Sequence, residues 1–145
     1  MAEEKKFKFR RPIKVIFRDL DGMRHVNHAV YLSYAEAARN EYWIAVTSIR
    51  DVSEYDFVLA ELTARYHAPA GLGDELIVGC RVTELRRSSF IMEHEIHNAR
   101  TGELMFEMKS VQVMFDYEKG KSMPISDVRR KQIEEFEGRS LTLAS

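Results

Sequence analysis

The stretch Arg18-Asp19-Leu20-Asp21-Gly22-Met23-Arg24-His25-Val26-Asn27 runs without a break into His28-Ala29-Val30-Tyr31-Leu32-Ser33-Tyr34-Ala35-Glu36-Ala37-Ala38-Arg39. Its second half predicts a helix from roughly His28 to Thr47, with only Ser33, Glu36, Arg39, Asn40 and Glu41 interrupting an otherwise apolar surface. Such a helix must be covered on most sides. Ala35, Ala37 and Ala38 keep its middle thin, which lets a sheet approach closely. The reading of the rest of the chain turns on where that sheet comes from.

The flanking segments supply it. Phe7, Phe9, Arg11, Ile13, Val15 and Phe17 share one phase of a two-residue period and predict a half-buried strand, with Pro12 pointing to an edge or a bulge. Beyond the helix, Phe57 to His67, Glu75 to Leu85 and Phe90 to Asn98 alternate again, and Glu103 to Tyr117 completes the set. The apolar phase of the last run switches around Ser110, which predicts a bulge there. Ala70-Gly71-Leu72-Gly73-Asp74, Asn98-Ala99-Arg100-Thr101-Gly102 and Glu118-Lys119-Gly120-Lys121 read as turns. Ser126 to Phe136 reads as a short polar helix capped by Ser126 or Asp127. Short connections imply antiparallel neighbours. The expectation is an α+β fold in which a curled antiparallel sheet of about five strands wraps a long central α-helix, with residues 1–145 forming a single domain. One copy would leave sheet edges and apolar surface uncovered, so a homodimer or a homotetramer is expected.

Composition excludes several classes. A formal net charge of −1 gives no broad field for wrapping nucleic acid, although Lys5-Lys6, Arg10-Arg11, Arg86-Arg87 and Arg129-Arg130-Lys131 form local clusters suited to small anions. Cys80 is the sole cysteine, so no internal disulfide can form, and its phase with Leu76, Val78 and Val82 marks it as a small core residue. The start Met1-Ala2-Glu3-Glu4-Lys5-Lys6 lacks an apolar signal core, and no apolar run is long enough for a bilayer. A cytoplasmic protein without membrane or nucleic-acid partners is expected.

Chemistry concentrates in the loop before the helix. Asp19 and Asp21 would share a face if extended geometry persisted, and like charges that close push one pKa upward; taken alone, the pair reads better as turn and capping bonds to backbone amides. Asn27 is a good N-cap, which leaves the amides of His28, Ala29 and Val30 unpaired at the positive end of the helix, a place for a carbonyl oxygen. This points to an enzyme acting on a carbonyl, with His25 and His28 as general bases, ligands or loop residues. The helix dipole favours the neutral imidazole of His28. Glu36 pairs with Arg39 or touches substrate. His94 and His97 have the spacing of a helical metal pair, but on a strand they face opposite sides, so no metal site is expected. Arg86-Arg87-Ser88-Ser89 is either a solvated hairpin tip or a phosphate clamp of guanidinium and hydroxyl donors.

These residues resemble the hotdog-fold acyl-CoA thioesterases, in the branch that includes 4-hydroxybenzoyl-CoA thioesterase. Asp19-Leu20-Asp21, His25-Val26-Asn27 and Tyr31 are similar to the family's Asp-x-Asp followed by His-Val-Asn-Asn and Tyr. Tyr66-His67-Ala68-Pro69, Gly73-Asp74-Glu75-Leu76, Arg86-Arg87-Ser88-Ser89-Phe90, Thr101-Gly102, Lys119-Gly120-Lys121 and Pro124-Ile125 continue the resemblance in order along nearly the whole chain. It implies the hotdog fold and hydrolysis of an acyl-CoA thioester without a cofactor. It further implies that Asp21 is the catalytic carboxylate and that the His28 amide donates to the thioester oxygen. His25 is carried with them as catalytic, and Asn27 and Tyr31 as substrate-binding. The site is implied to be shared across a dimer, with Arg86, Arg87, Ser88 and Ser89 near the phosphates of coenzyme A. Plant acyl-acyl-carrier-protein thioesterases carry a similar loop, so that carrier is an alternative, as is an acyl-CoA binding module without turnover. Two positions depart from the pattern: His28 stands where a second Asn is more common, and Met23 replaces an Asn of the plant enzymes. A mechanism built on that Asn does not transfer.

Overall fold

The computed structural model describes residues 6–142; the segment from Met1 to Lys5, read above for a signal core and for the Lys5-Lys6 cluster, lies outside the described residues. Strand β1 (Phe9–Lys14) leads through a 3₁₀ turn at Phe17–Asp19 into helix α1 (His28–Thr47). A second 3₁₀ turn at Val52–Glu54 precedes β2 (Phe57–Tyr66), β3 (Glu75–Leu85), β4 (Ser89–Asn98) and β5 (Leu104–Asp116). A two-residue β6 (Lys121–Ser122) and helix α2 (Asp127–Glu137) follow.

Every ladder is antiparallel, and the spatial order is β1-β3-β4-β5-β2, with β6 on the end of β5. The hairpins β3–β4 and β4–β5 pair as their short connections imply. Strands β2 and β3 do not: between Tyr66 and Glu75 the chain crosses from one edge of the sheet to the other side, so β2 becomes an edge. The other edge is β1, where Pro12 is opposite Ile77 and its missing amide weakens the ladder least. β1 stops at Lys14, short of the expected strand, and the 3₁₀ turn rotates Phe17 outward to 79% exposure instead of into the core.

Helix α1 has the limits its sequence implies because both ends are chemically marked. The Asn27 side chain accepts from the Ala29 amide at 2.9 Å, and Ser48 takes a left-handed φ of 65°. Tyr31, Tyr34, Ala35, Ala38, Tyr42 and Trp43 face the sheet, and Ala35 and Ala38 are fully buried. Ala37 is only half-buried and does not contribute to that close approach. Most positions of the helix are buried or half-buried, as expected; Ser33 and Glu36, two of its polar interruptions, are exposed, and so is Ala29. Helix α2 closes part of the remaining surface, with Phe136 edge-on to Tyr42 and the Tyr42 hydroxyl donating to Glu137 at 2.6 Å.

Strand β5 keeps one buried phase from Phe106 through Met108, Ser110 and Gln112 to Met114, so the expected switch at Ser110 does not occur. Two buried polar residues imitate it: the Gln112 amide donates to the Ser110 hydroxyl at 2.7 Å inside the core. The bulges lie elsewhere, between Leu59 and Glu61 of β2, between Val82 and Glu84 of β3, and in β5 at Met105, where β4 pairing slips. Cys80, Leu76, Val78 and Val82 are all fully buried, as their shared phase implies.

His94 and His97 lie on opposite faces of β4, and His94 is wholly inside. Burial, with the nearby Arg39 guanidinium, pushes its pKa down to about 3, and the Ala35 backbone offsets this only in part. Neither ring nitrogen meets hydrogen-bond geometry among the described residues. The unfolded chain therefore takes up a proton near pH 6.5 that the folded core refuses, so stability is full above pH 6.5 and falls as the pH drops towards 3. The slope reaches at most ~1.4 kcal/mol per pH unit for this one group. Denaturant unfolding of His94→Gln beside the parent protein should show a shallower loss of stability between pH 6.5 and 4; parallel curves would contradict the assignment.

Candidate active site

The loop between β1 and α1 is built from backbone hydrogen bonds that its side chains finish. The Asp21 amide donates to the His25 carbonyl at 2.9 Å, and Arg24 closes the turn in a left-handed conformation with φ 67°. Leu20 bridges Val26, His25 bridges Gly71, and the Val26 amide donates to the Ala70 carbonyl at 2.9 Å. The stretch is a 3₁₀ turn that ends at an extended Leu20 and then a tight loop, and Asp19 and Asp21 take different partners.

The two carboxylates part company. Asp19 accepts from the Ile16 amide at 3.1 Å and from the Tyr34 hydroxyl at 2.7 Å. Burial, and then the bond to Asp19, raises the Tyr34 pKa, so this phenol stays protonated and keeps donating. Asp19 thus ties the loop to α1. Among the described residues the Asp21 carboxylate accepts only a turn bond from the Met23 amide, at 2.8 Å through Oδ1. It faces a cleft of about 370 Å³ lined also by Val26, His28, Tyr31, Tyr66, His67 and Pro69.

The helix start at this cleft differs from expectation in one respect. Of the three amides read as unpaired, Ala29 is taken by the Asn27 side chain and Val30 by the Asn27 carbonyl at 2.9 Å. The His28 amide alone of these has no hydrogen bond among the described residues. Capping by Asn27 through its own carbonyl and side chain consumes the neighbours and narrows the anion site to a single donor, still at the positive end of a 20-residue helix.

Tyr31 and Tyr66 hold this end in place. The Tyr31 hydroxyl accepts from the Ala70 amide at 3.0 Å, and burial raises its pKa. The Tyr66 hydroxyl donates to the His28 carbonyl at 2.7 Å. His67 lines the cleft with its ring against Glu107 at 3.1 Å. Tyr66 and His67 were legible only as part of a familiar segment; their place at the site comes from β2 ending where α1 begins. His25 contributes its carbonyl to the Asp21 loop, while its side chain is exposed and outside the cleft lining.

Arg86, Arg87, Ser88 and Ser89 sit at the other end of the sheet. The cleft lies beside the Tyr66–Phe106 end of the β2–β5 ladder, whereas Ser89 is opposite Val113. The span of β5 from Phe106 to Val113 is about 23 Å at ~3.3 Å per residue. The hairpin backbone is firmly held: Met114 and Ile125 amides donate to the Ser88 and Arg87 carbonyls at 2.8 Å, and Arg130 reaches the Arg86 carbonyl. The Arg86 side chain pairs with Glu84, and Arg87 is exposed. Within one chain the hairpin and Asp21 do not meet.

A larger hollow of about 590 Å³ lies on the outer sheet face among Arg65, Glu93, Glu95, Glu107 and Lys109, without Asp21 or the α1 terminus. Its charges pair with each other and with neighbours, as in Arg81–Glu93 and Lys6–Glu95 at 2.7 Å. No group of three or more His, Cys, Asp or Glu side chains suited to a metal ion occurs among the described residues. No helix among them is long and apolar enough to cross a membrane.

Residues 15–133 match the thioesterase-like superfamily. A Thermus thermophilus thioesterase crystallised with coenzyme A and zinc superposes with a TM-score of 0.86 at 38% identity, over 94% of this chain and 99% of that one. The match fixes the arrangement of long helix and curled sheet as the hotdog fold. The Helicobacter pylori acyl-CoA thioesterase YbgC is 32% identical over 58% of this chain, and the match spans 63% of that protein's length. The Escherichia coli long-chain acyl-CoA thioesterase FadM is 26% identical over 86% of this chain and 96% of its own.

Because Asn27 supplies the cap that leaves His28 as the free donor, Asn27→Ala should lower stability by about 1 kcal/mol. Thermal melting checks this; an unchanged Tm would mean that the side-chain cap carries no weight.

Proposed function

Since the chain belongs to the thioesterase-like superfamily, we propose that it hydrolyses an acyl-CoA thioester to the free acid and coenzyme A. The observation that carries this reading is the cleft in which the Asp21 carboxylate and the His28 end of α1 lie together, with the His28 amide unpartnered. In the proposed reaction the thioester oxygen accepts from the His28 N–H, and the helix dipole stabilises the charge that builds on that oxygen. Asp21 either attacks the carbonyl carbon or takes a proton from a water that does. In the first route a C–O bond forms, the C–S bond breaks with its electron pair going to sulfur, and water then cleaves the resulting anhydride. Both routes end in the same acid and thiol. His25 enters through the shape of the loop, since its carbonyl fixes the Asp21 backbone. Asn27 and Tyr31 enter by holding the helix start and the Ala70 loop.

The proposed active unit is a homodimer, or a homotetramer made from it, of one hotdog domain per chain. The exposed edge strand β2, with Leu59 at 42% exposure, supports this. Antiparallel pairing of two such edges reverses the sheet, and the Arg86–Ser89 hairpin of a second copy is then the one that approaches this chain's cleft. In that assembly Arg86, Arg87, Ser88 and Ser89 would serve the coenzyme A phosphates. The reducing cytoplasm is the proposed compartment, in keeping with the buried free thiol of Cys80.

Asp21→Asn should keep its fold by circular dichroism and melting and lose roughly 10²–10⁴-fold or more in thiol release from acyl-CoA. Turnover near the parent level would refute the role given to Asp21, and tight product retention without thiol release in the parent would favour a binding module.

The hairpin backbone is held independently of its side chains, so Arg86→Glu with Arg87→Glu should fold. It should raise KM for acyl-CoA by about tenfold with kcat little changed. An equal loss on acyl-carrier-protein substrates, or none on either, would contradict the phosphate role.

A further inference from the structure

One relative is named for long acyl chains, so family membership does not set the size of the acyl group here. The cleft itself does. Tyr31, Tyr66 and Phe106 form a closed triangle of rings: Tyr31 and Phe106 stack at 5.4 Å and 17°, while Tyr66 stands edge-on to them at 5.4 and 5.1 Å. Phe106 and Tyr31 are buried at 0% and 3% exposure, and Tyr66, at 46%, is the ring that meets the cleft openly. Phe106 is paired across the ladder with Ile96, itself fully buried, so the triangle is backed by the core.

The same tyrosine is bonded to the proposed oxyanion residue. Its hydroxyl donates to the His28 carbonyl at 2.7 Å, which fixes the ring at a set distance from the His28 amide. An acyl group whose carbonyl oxygen rests on that amide lies in the cleft that this ring also lines.

We infer that Tyr66 determines acyl size, with Tyr31 and Phe106 as its backing, and that the site takes a short chain or a single ring; this rests on the thioester-hydrolase reading above. Its ring limits length, and its hydroxyl is a positioning group that acts through His28. A chain running beneath α1 would gain about fourfold in kcat/KM for each methylene buried. One turned aside by Tyr66 stays in solvent and gains nothing further.

The test is thiol release from acetyl-, butyryl-, hexanoyl-, decanoyl- and benzoyl-CoA by the full chain and by Tyr66→Phe and Tyr66→Ala. For the parent, kcat/KM should peak at hexanoyl or benzoyl and not rise to decanoyl. Tyr66→Phe should keep that profile with kcat about tenfold lower and KM unchanged, whereas Tyr66→Ala should shift the decanoyl-to-butyryl ratio upward at least tenfold. A parent profile that keeps climbing about fourfold per methylene to decanoyl overturns the size limit. So does a Tyr66→Ala ratio equal to the parent's, and an unchanged kcat in Tyr66→Phe overturns the positioning role. If Tyr66→Ala does not fold, the parent series and Tyr66→Phe still decide. Absence of thiol release from every substrate is a different result, which removes the hydrolase reading itself.

Discussion

The first turn of α1 is clamped from three directions, and the cleft exists because of that clamp. Asn27 caps the helix with its side chain and carbonyl, Tyr34 binds Asp19 from within the helix, and Tyr66 reaches across from β2 to the His28 carbonyl. Each bond is of ordinary strength, but together they pin a helix terminus against a loop and a strand end. A helix start normally exposes several amides to solvent. Here the neighbours are consumed and His28 is left, which makes one position along the cleft electrostatically distinct.

The division of labour between Asp19 and Asp21 follows from the same clamp. Asp19 is the structural carboxylate, engaged by a buried tyrosine whose raised pKa keeps it a donor. Asp21 is held at its backbone by His25 and at one oxygen by Met23, and so presents a carboxylate to the cleft with little protein competing for it. The outer sheet face is larger in volume and richer in charge, yet its carboxylates are met by Arg81, Lys6 and His67. Volume alone does not distinguish the two places; the smaller one holds a carboxylate and an unspent helix amide together, which is why the proposed reaction is put there.

Helix α1 was legible because its limits are written locally, in Asn27 before it and a left-handed Ser48 after it, and the strands because two-residue alternation survives wherever one face is buried. Ser110 and Gln112 misled because they are polar residues hydrogen-bonded to each other inside the core, which a reading by polarity places outside. The crossing from β2 to β3 was hidden because a short connection looks alike whether it turns a hairpin or passes over an end of the sheet. At the site, Asn27 and His28 could be read from their place at the helix start, whereas the choice of Asp21 over Asp19 came only with the family resemblance. The part played by Tyr66 could not, since it depends on β2 lying at the edge beside that helix start. Arg86 to Ser89 were legible as a hairpin, while their distance from Asp21 within one chain is a property of the strand order.

The central claim is that one amide and one carboxylate flank the reacting carbonyl. A crystal structure of the protein with a non-hydrolysable ketone analogue of a short acyl-CoA addresses it directly. The analogue's carbonyl oxygen should lie about 3 Å from the His28 nitrogen, with the Asp21 carboxylate facing the carbonyl carbon. A carbonyl bound elsewhere, with the His28 amide still unoccupied, would contradict the account.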